Sequence, residues 1–509
     1  METLLLLQSS LHPILFGGCV LVLIFLLQKW LLSNQNSSKA SPPSPPKHPI
    51  FGHLLKLGRL PHITLQNYAR RYGPLFLLHL GAKPTIVVSS PQLARDIMKT
   101  HDLSFANRPK SSMADKLLYG SKDIAMSPYG EYWRRMRSIG VLRLLSHNSV
   151  QSFCCVREQE VKAMIDNIQR NPLSVNFTEL FSGLTNDVIC RVAFGRKYGI
   201  GQDGSKLRSL LLQFGELMAS FIIRDYVPLL GWIDGITGFD AKAKRVAKEL
   251  DILLDEVIQD HIHLQNRAEH KDLVDILLSI QVENSTGSPL QMESIKALIL
   301  DMFAAGVDST YAALEWAMSE LLKHPESMKK LKGEMREIMG GKGYAGEEDI
   351  EKMPYLKAII KETLRLHPPL PLLFRESSEY IKVKGYDINP GTRVIINAWA
   401  IGRDPEVWEE AEEFRPERFM KSSMDFKGQS LELIPFGAGR RGCPGIAFAM
   451  AMIEMALANV VYKFEWKLPN GAAGEDLDMS GVFGLATHRE YPLVAIATSC
   501  QRDSTSYNS

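Results

Sequence analysis

The sequence predicts a mainly α-helical fold with a small β-sheet, and three observations carry that reading. Long amphipathic stretches, apolar at three- and four-residue intervals, occupy residues 150–169, 178–192, 207–222, 241–265, 290–323 and 326–339. Short apolar and β-branched runs are confined to 75–80, 85–89, 380–383 and 393–396. No internal repeat and no second low-complexity linker interrupts the 509 residues, so one large domain is expected, too large for a simple bundle.

Each end of that domain has its own signals. Residues 11–32 are strongly apolar and 14–27 carry no charge, and about 20 such residues in a helix span a bilayer core. Glu2 precedes this run while Lys29 and Lys39 follow it, which places the body in the cytosol. A cleaved signal peptide is the alternative, but no small-residue cleavage site follows Leu32 and no basic segment precedes the run. Pro42, Pro43, Pro45 and Pro46 then stiffen a spacer. The expected division is a membrane signal-anchor at 1–32, a proline-rich linker at 33–49 and the catalytic body at 50–509. Sequons at Asn36, Asn176 and Asn284 are expected to stay unglycosylated in that topology.

A net charge of +2 with 23% charged residues gives no sign of nucleic-acid binding. Cys19, Cys154, Cys155, Cys190, Cys443 and Cys500 are irregularly spaced, which excludes a disulfide framework and a paired CxxC metal site and favours a reducing compartment.

Cys443 is different from the rest. It sits in Phe436-Gly437-Ala438-Gly439-Arg440-Arg441-Gly442-Cys443-Pro444-Gly445. A thiolate held on haem iron needs backbone N–H groups aimed at its sulfur, and Gly437, Gly439 and Gly445 permit a turn tight enough to present them. Arg441 suits a propionate because a guanidinium grips a carboxylate through two parallel hydrogen bonds and keeps its charge. Phe436 covers the sulfur side. Two other readings compete: a buried structural cysteine, and a dinucleotide fingerprint, since residues 437–442 also spell G-x-G-x-x-G with strand-like 431–436 before, helix-like 446–462 after and Glu465 placed to hold a ribose. Against the latter, too little chain follows residue 466 to complete a nucleotide domain.

The spacing F-x-x-G-x-R-x-C-x-G resembles the haem-binding signature of the cytochrome P450 family, in which a cysteine thiolate ligates the iron and favours O–O cleavage. Further motifs agree. Ala305, Gly306, Asp308, Ser309 and Thr310 resemble the family's A-G-x-D/E-T-T segment, which implies that Asp308, Ser309 and Thr310 form the proton relay, with serine where threonine is usual. Gly306 in mid-helix costs about 1 kcal/mol against Ala, and the expectation is that its missing side chain leaves room for dioxygen. Glu362 and Arg365, with Arg418 of the Pro416-Glu417-Arg418-Phe419 run, resemble the E-x-x-R and P-E-R-F pair, implying a buried structural charge network. Trp133 and Arg137, one turn apart, and Arg375 resemble further propionate partners, although 373–375 is one residue short of the plant pattern.

Over the whole chain after the anchor, the resemblance is to plant microsomal members of the large A-type group of specialised metabolism. It implies the cytochrome P450 fold behind an N-terminal transmembrane anchor in the endoplasmic reticulum membrane, haem b, and oxidation of a small apolar substrate with O2. NADPH would act through a cytochrome P450 reductase steered by Arg134, Arg135 and Arg440. Terpenoid, alkaloid and phenylpropanoid or coumarin skeletons all fit an apolar pocket, for which Met113, Leu117, Phe303, Ala305, Leu370, Leu372, Phe374, Phe483 and Leu485 are candidates. The rivals are a reductase-independent isomerase or dehydratase of the same fold and a non-catalytic haem-binding protein.

Overall fold

The computed structural model describes residues 41–197, 202–264, 271–283 and 290–500. The expected anchor, Asn36 and Asn284 lie outside the described residues, as do linker residues 33–40.

A four-stranded sheet forms from β1 (Leu75–Leu80), β2 (Lys83–Val88), β3 (Leu372–Glu376) and β4 (Arg393–Asn397), in the order β1-β2-β4-β3. β2 and β4 run parallel with Thr85 opposite Arg393, while β3 pairs antiparallel with Phe374 opposite Ile395. The prolines are not a free spacer over 41–46. Leu77 donates its N–H to the Pro43 carbonyl at 2.8 Å, and His53 bridges the Pro45 carbonyl and the His79 amide, so this segment covers the open edge of β1.

Six helices position the chemistry: α1 (Glu131–Ile139), α2 (Phe177–Phe194), α3 (Gln202–Ala219), α4 (Met292–Lys323), α5 (Pro354–Leu366) and α6 (Ile446–Lys463). α4 has Glu293 in its first turn and Lys323 in its last, matching the macrodipole, and Pro325 starts the next helix at once. At 32 residues it is about 48 Å long, enough to cross the domain, and it packs along α2 and α6. Both α4 and α6 are long and apolar enough to cross a membrane, yet half or more of each apolar window is buried in the protein core. The expected helix 150–169 is interrupted at Phe153, which separates His147–Ser152 from Cys154–Arg170. Ser152 donates to the Ser149 carbonyl there, an alternative partner that loosens the backbone ladder. Asn176 caps α2 by accepting from the Glu179 amide, so that sequon side chain is already engaged.

A β-hairpin near the C-terminus, β5 (Gly481–Phe483) with β6 (Thr487–Arg489), lies against α4.

Candidate active site

The cysteine loop precedes α6. Residues 431–436 are irregular and not a strand, and Glu465 pairs with Lys332 at 2.6 Å, so the dinucleotide reading loses both its strand and its ribose partner. Gly437 and Gly439 both take φ +68°, the left-handed region. At Gly439 the need is also steric, because a Cβ would come within 2.2 Å of the Met98 carbonyl oxygen. Gly445 has an ordinary φ of −93°. Its amide is the one that reaches the cysteine, 3.3 Å from Sγ, whereas the Gly437 amide donates to Ile434. The expectation that all three glycines serve the sulfur therefore narrows to Gly445. Cys443 donates its own N–H to the Phe436 carbonyl at 2.9 Å, and Phe436 packs edge-on against Phe426. Burial pushes the Cys443 thiol up, and the Gly445 N–H and the Arg137 charge pull it down. The sulfur also stands at the N-terminus of α6, where the helix dipole favours a thiolate.

Four arginines gather beside this loop. Arg137 on α1 donates to the Gly442 carbonyl at 2.6 Å. Arg441 donates to the carbonyls of Ala106, Ile124 and Ser127 and lies 4.2 Å from the Trp133 ring centroid. Trp133 gives its indole N–H to the same Ile124 carbonyl at 3.0 Å, so it supports Arg441 from below instead of presenting a donor of its own. Arg375 on β3 is buried and reaches towards Ala438. The fourth, Arg108, was not singled out by the sequence; it donates to the carbonyls of Ala125 and Phe374. Burial lowers all four: Arg441 to about 9, Arg108 to about 10, Arg375 well below its usual value, and Arg137 downwards. Their mutual repulsion deepens the fall for Arg441, Arg108 and Arg375. The carboxylates acting on them are Asp102 and Asp123, and Asp123 is itself pushed up to about 6, first by burial. A site with surplus buried cations next to a thiol fits a flat metallocycle carrying two carboxylates, which is the donor set haem requires.

In mid-α4, Ala305 is exposed and residues 304 and 306–309 are half-buried, between the buried Phe303 and Thr310. Ser309 donates to the Ala305 carbonyl at 2.6 Å, and Thr310 is buried. Asp308 accepts from the Ala486 amide at 2.8 Å and meets His488 Nε2 at 3.1 Å. Gly306 does not open a space for gas: a Cβ there would lie 2.9 Å from Ile189 Cδ1, so the missing side chain admits α2. Close helix packing explains that glycine.

The expected charge network is assembled. Arg365 grips Glu362 through Nε to Oε2 at 2.7 Å and Nη2 to Oε1 at 2.8 Å, and Arg418 Nε reaches the same Oε1 at 2.9 Å. Arg365 spends its other donors on the carbonyls of Gly402, Ala411 and Glu413, and both arginines lie over Trp408.

A model described as Cytochrome P450 matches residues 42–494. The chain belongs to the cytochrome P450 family. It is 52% identical over 501 residues to "Cytochrome P450 736A117" of Prunus mume, with 96% of each chain covered. It is 48% identical to "Norfluorocurarine oxidase" of a Strychnos species, covering 96% of this chain and 98% of that one. A zebra fish cytochrome P450 solved with progesterone superposes with a TM-score of 0.75 at 26% identity, over 86% of this chain and 99% of the other. Family and fold imply haem with thiolate-bound iron, and the enzyme is a plant-type P450 monooxygenase of specialised metabolism.

Within this P450 the pocket candidates divide. Phe374 and Leu370 are exposed and Leu485 is half-buried. Leu372 instead packs in the sheet core with Phe76 and Val87, Met113 and Leu117 are buried in the main core, and Phe303 stacks on Phe194 at 5.0 Å. Phe483 stacks against His62. Of the basic residues, Arg134 and Arg440 are exposed, and Arg440 is paired with Asp102 at 3.3 Å.

Proposed function

We propose that Cys443 is the haem ligand of a membrane-anchored monooxygenase that oxidises a small apolar plant metabolite with electrons from an NADPH-cytochrome P450 reductase. The supporting observation is the junction of two features through Arg137: a sulfur receiving the Gly445 N–H at a helix N-terminus, and a surplus of buried and half-buried arginines that meets it. Arg375, Arg441, Arg137 and Arg108 would hold the propionates, with Trp133 supporting Arg441, while Phe436, Gly437 and Gly439 shape the sulfur loop. Haem bound there supplies activation of O2 towards insertion into a C–H bond. The protein supplies the rest. Thiolate basicity is set by the Gly445 donor. Asp308, Ser309 and Thr310 would pass protons inward, with the Ser309 hydroxyl able to turn from the Ala305 carbonyl to another acceptor. Exposed Ala305, Leu370 and Phe374 present the apolar contacts that orient substrate.

Electrons would enter on the face bearing Arg134, Arg135 and Arg440, which suits an acidic donor. The chain would sit in the endoplasmic reticulum membrane through residues 1–32, body in the cytosol. Terpenoid, alkaloid and phenylpropanoid or coumarin skeletons are the substrate classes to test, with norfluorocurarine first because a relative is described as its oxidase.

The carbon monoxide difference spectrum of reduced microsomes tests the reading. A band near roughly 450 nm is expected for the native chain and none for Cys443→Ser. Product formation must then depend on added reductase, since an isomerase or a haem carrier would not need it.

A further inference from the structure

We propose that His488 is a positioning residue which, together with the Ala486 amide, holds Asp308 on the β5–β6 hairpin, so that the state of the hairpin tip sets proton delivery. This rests on the monooxygenase reading above. Both oxygens of Asp308 are taken by the hairpin: Oδ2 accepts from Ala486 N at 2.8 Å and Oδ1 faces His488 Nε2 at 3.1 Å. The Ser309 hydroxyl meanwhile rests on the Ala305 carbonyl. Each oxygen keeps a second lone pair, so the hairpin does not block Asp308 but fixes where it can exchange a proton with a water or hydroxyl beside it, and loosening the hairpin moves that point.

Strand β6 is firmly tied to the rest of the fold at Thr487 and Arg489. Trp316 donates to the Thr487 carbonyl at 3.0 Å, Arg489 donates to Ser319, and Thr487 N donates to the Pro369 carbonyl. The tip is tied more lightly. Gly484 donates to Ala486 at 3.1 Å, and the half-buried Leu485 points towards Gly215 of α3. His488 itself is a loose fastening. Its Nε2 is shared between Asp308 and the Tyr311 hydroxyl, the latter at 3.3 Å, and its Nδ1 is buried with no partner. A histidine serving only to knit the fold would normally satisfy both nitrogens. Its ring lies parallel to Tyr311 with centroids 4.6 Å apart, which keeps the imidazole in place when the Asp308 contact opens.

The test uses full-length holoenzyme with reductase and two variants. His488→Phe keeps a ring against Tyr311 and removes the donor; His488→Gln keeps a donor close to the Nε2 position. Without substrate, NADPH, a proton and O2 yield NADP+ and H2O2, so NADPH consumption reports uncontrolled proton supply. Consumption is expected to rise about fivefold in His488→Phe, the equilibrium weight of one hydrogen bond, and to stay near the native rate in His488→Gln. Hydrogen exchange of the ferric protein, with no turnover, is expected to quicken by a similar factor in peptides covering 484–488 in His488→Phe only. Native behaviour of His488→Phe in the exchange readout, or equal damage in both variants, overturns the proposal. A native enzyme that consumes no NADPH would sink the monooxygenase reading, and the exchange readout would still decide the latch.

Discussion

Arg365 and Glu362 lie side-on one turn apart on α5, both side chains wholly out of solvent, joined at 2.7 and 2.8 Å. The pair is closed by Arg418 and by the Arg415 amide, which donates to Glu362 Oε1 at 2.8 Å. Arg365 also draws in the carbonyls of Gly402, Ala411 and Glu413. One buried ion pair thus fixes the long irregular segment between β4 and the cysteine loop, where few regular hydrogen bonds are available.

Arg365→Ala leaves Glu362 with only Arg418 and the Arg415 amide and strands three carbonyls, at about 3–5 kcal/mol. The expected outcome is loss of haem incorporation, read as absence of the carbon monoxide band. Arg365→Lys fails as well, because one ammonium cannot replace a planar fork of donors. Normal holoprotein from either variant would refute the network's role.

Ser309→Ala removes the hydroxyl that now donates to Ala305. NADPH consumption is expected to persist while the yield shifts from product towards peroxide, by about tenfold or more if Ser309 is the main relay. Unchanged product per NADPH would move the role to Thr310.

Gly439→Ala places a Cβ 2.2 Å from the Met98 carbonyl oxygen at φ +68°. The left-handed backbone alone costs roughly 1–2 kcal/mol with a side chain, and the overlap adds to it. A lower melting temperature with faster haem loss is expected. Gly445→Ala, with ordinary φ and a Cβ 3.8 Å from Sγ, is expected to be much milder. Comparing haem-loss rates for the two variants checks the ranking.

Glu320 gives a pH dependence. Burial alone pushes its carboxyl up, but hydrogen bonds from His324 and His367 outweigh that and bring it from 4.5 to about 2. A folded pKa below the unfolded one contributes stability above about 4.5 that is lost as pH falls towards about 2. Glu320→Gln is therefore expected to be less stable than the native protein at pH 6, with the gap in denaturant midpoint narrowing below that carboxylate range. A constant gap across the titration would contradict the assignment.

How much of this was legible in the sequence follows from distance along the chain. The helices at 178–192 and 326–339 were readable because helical periodicity is a local property. Phe153 interrupted another helix because Ser152 turned back on Ser149, a competition that periodicity does not register. The prolines at 42–46 pointed to stiffness, and only the fold gave them an edge strand to cover. Gly306 was read as room for dioxygen in mid-helix, whereas the side chain that enters the gap is Ile189, more than a hundred residues away. Arg108 and His488 carried no local signal, since an isolated arginine and a histidine near a strand are ordinary until tertiary contacts place them.

The sequence by itself determined the loop: ten consecutive residues around Cys443 carry the spacing that resembles the family's haem-binding signature, legible because a turn that presents a sulfur is built from its immediate neighbours. Tertiary structure alone decided how charge is distributed around that loop. Four arginines from separate elements, Arg375 and Arg441 buried and Arg108 and Arg137 half-buried, meet beside it, and Asp308 is handed to a hairpin from the far end of the chain. Electrostatic interactions depend on separation in space and on local burial, and neither can be computed from separation along the chain.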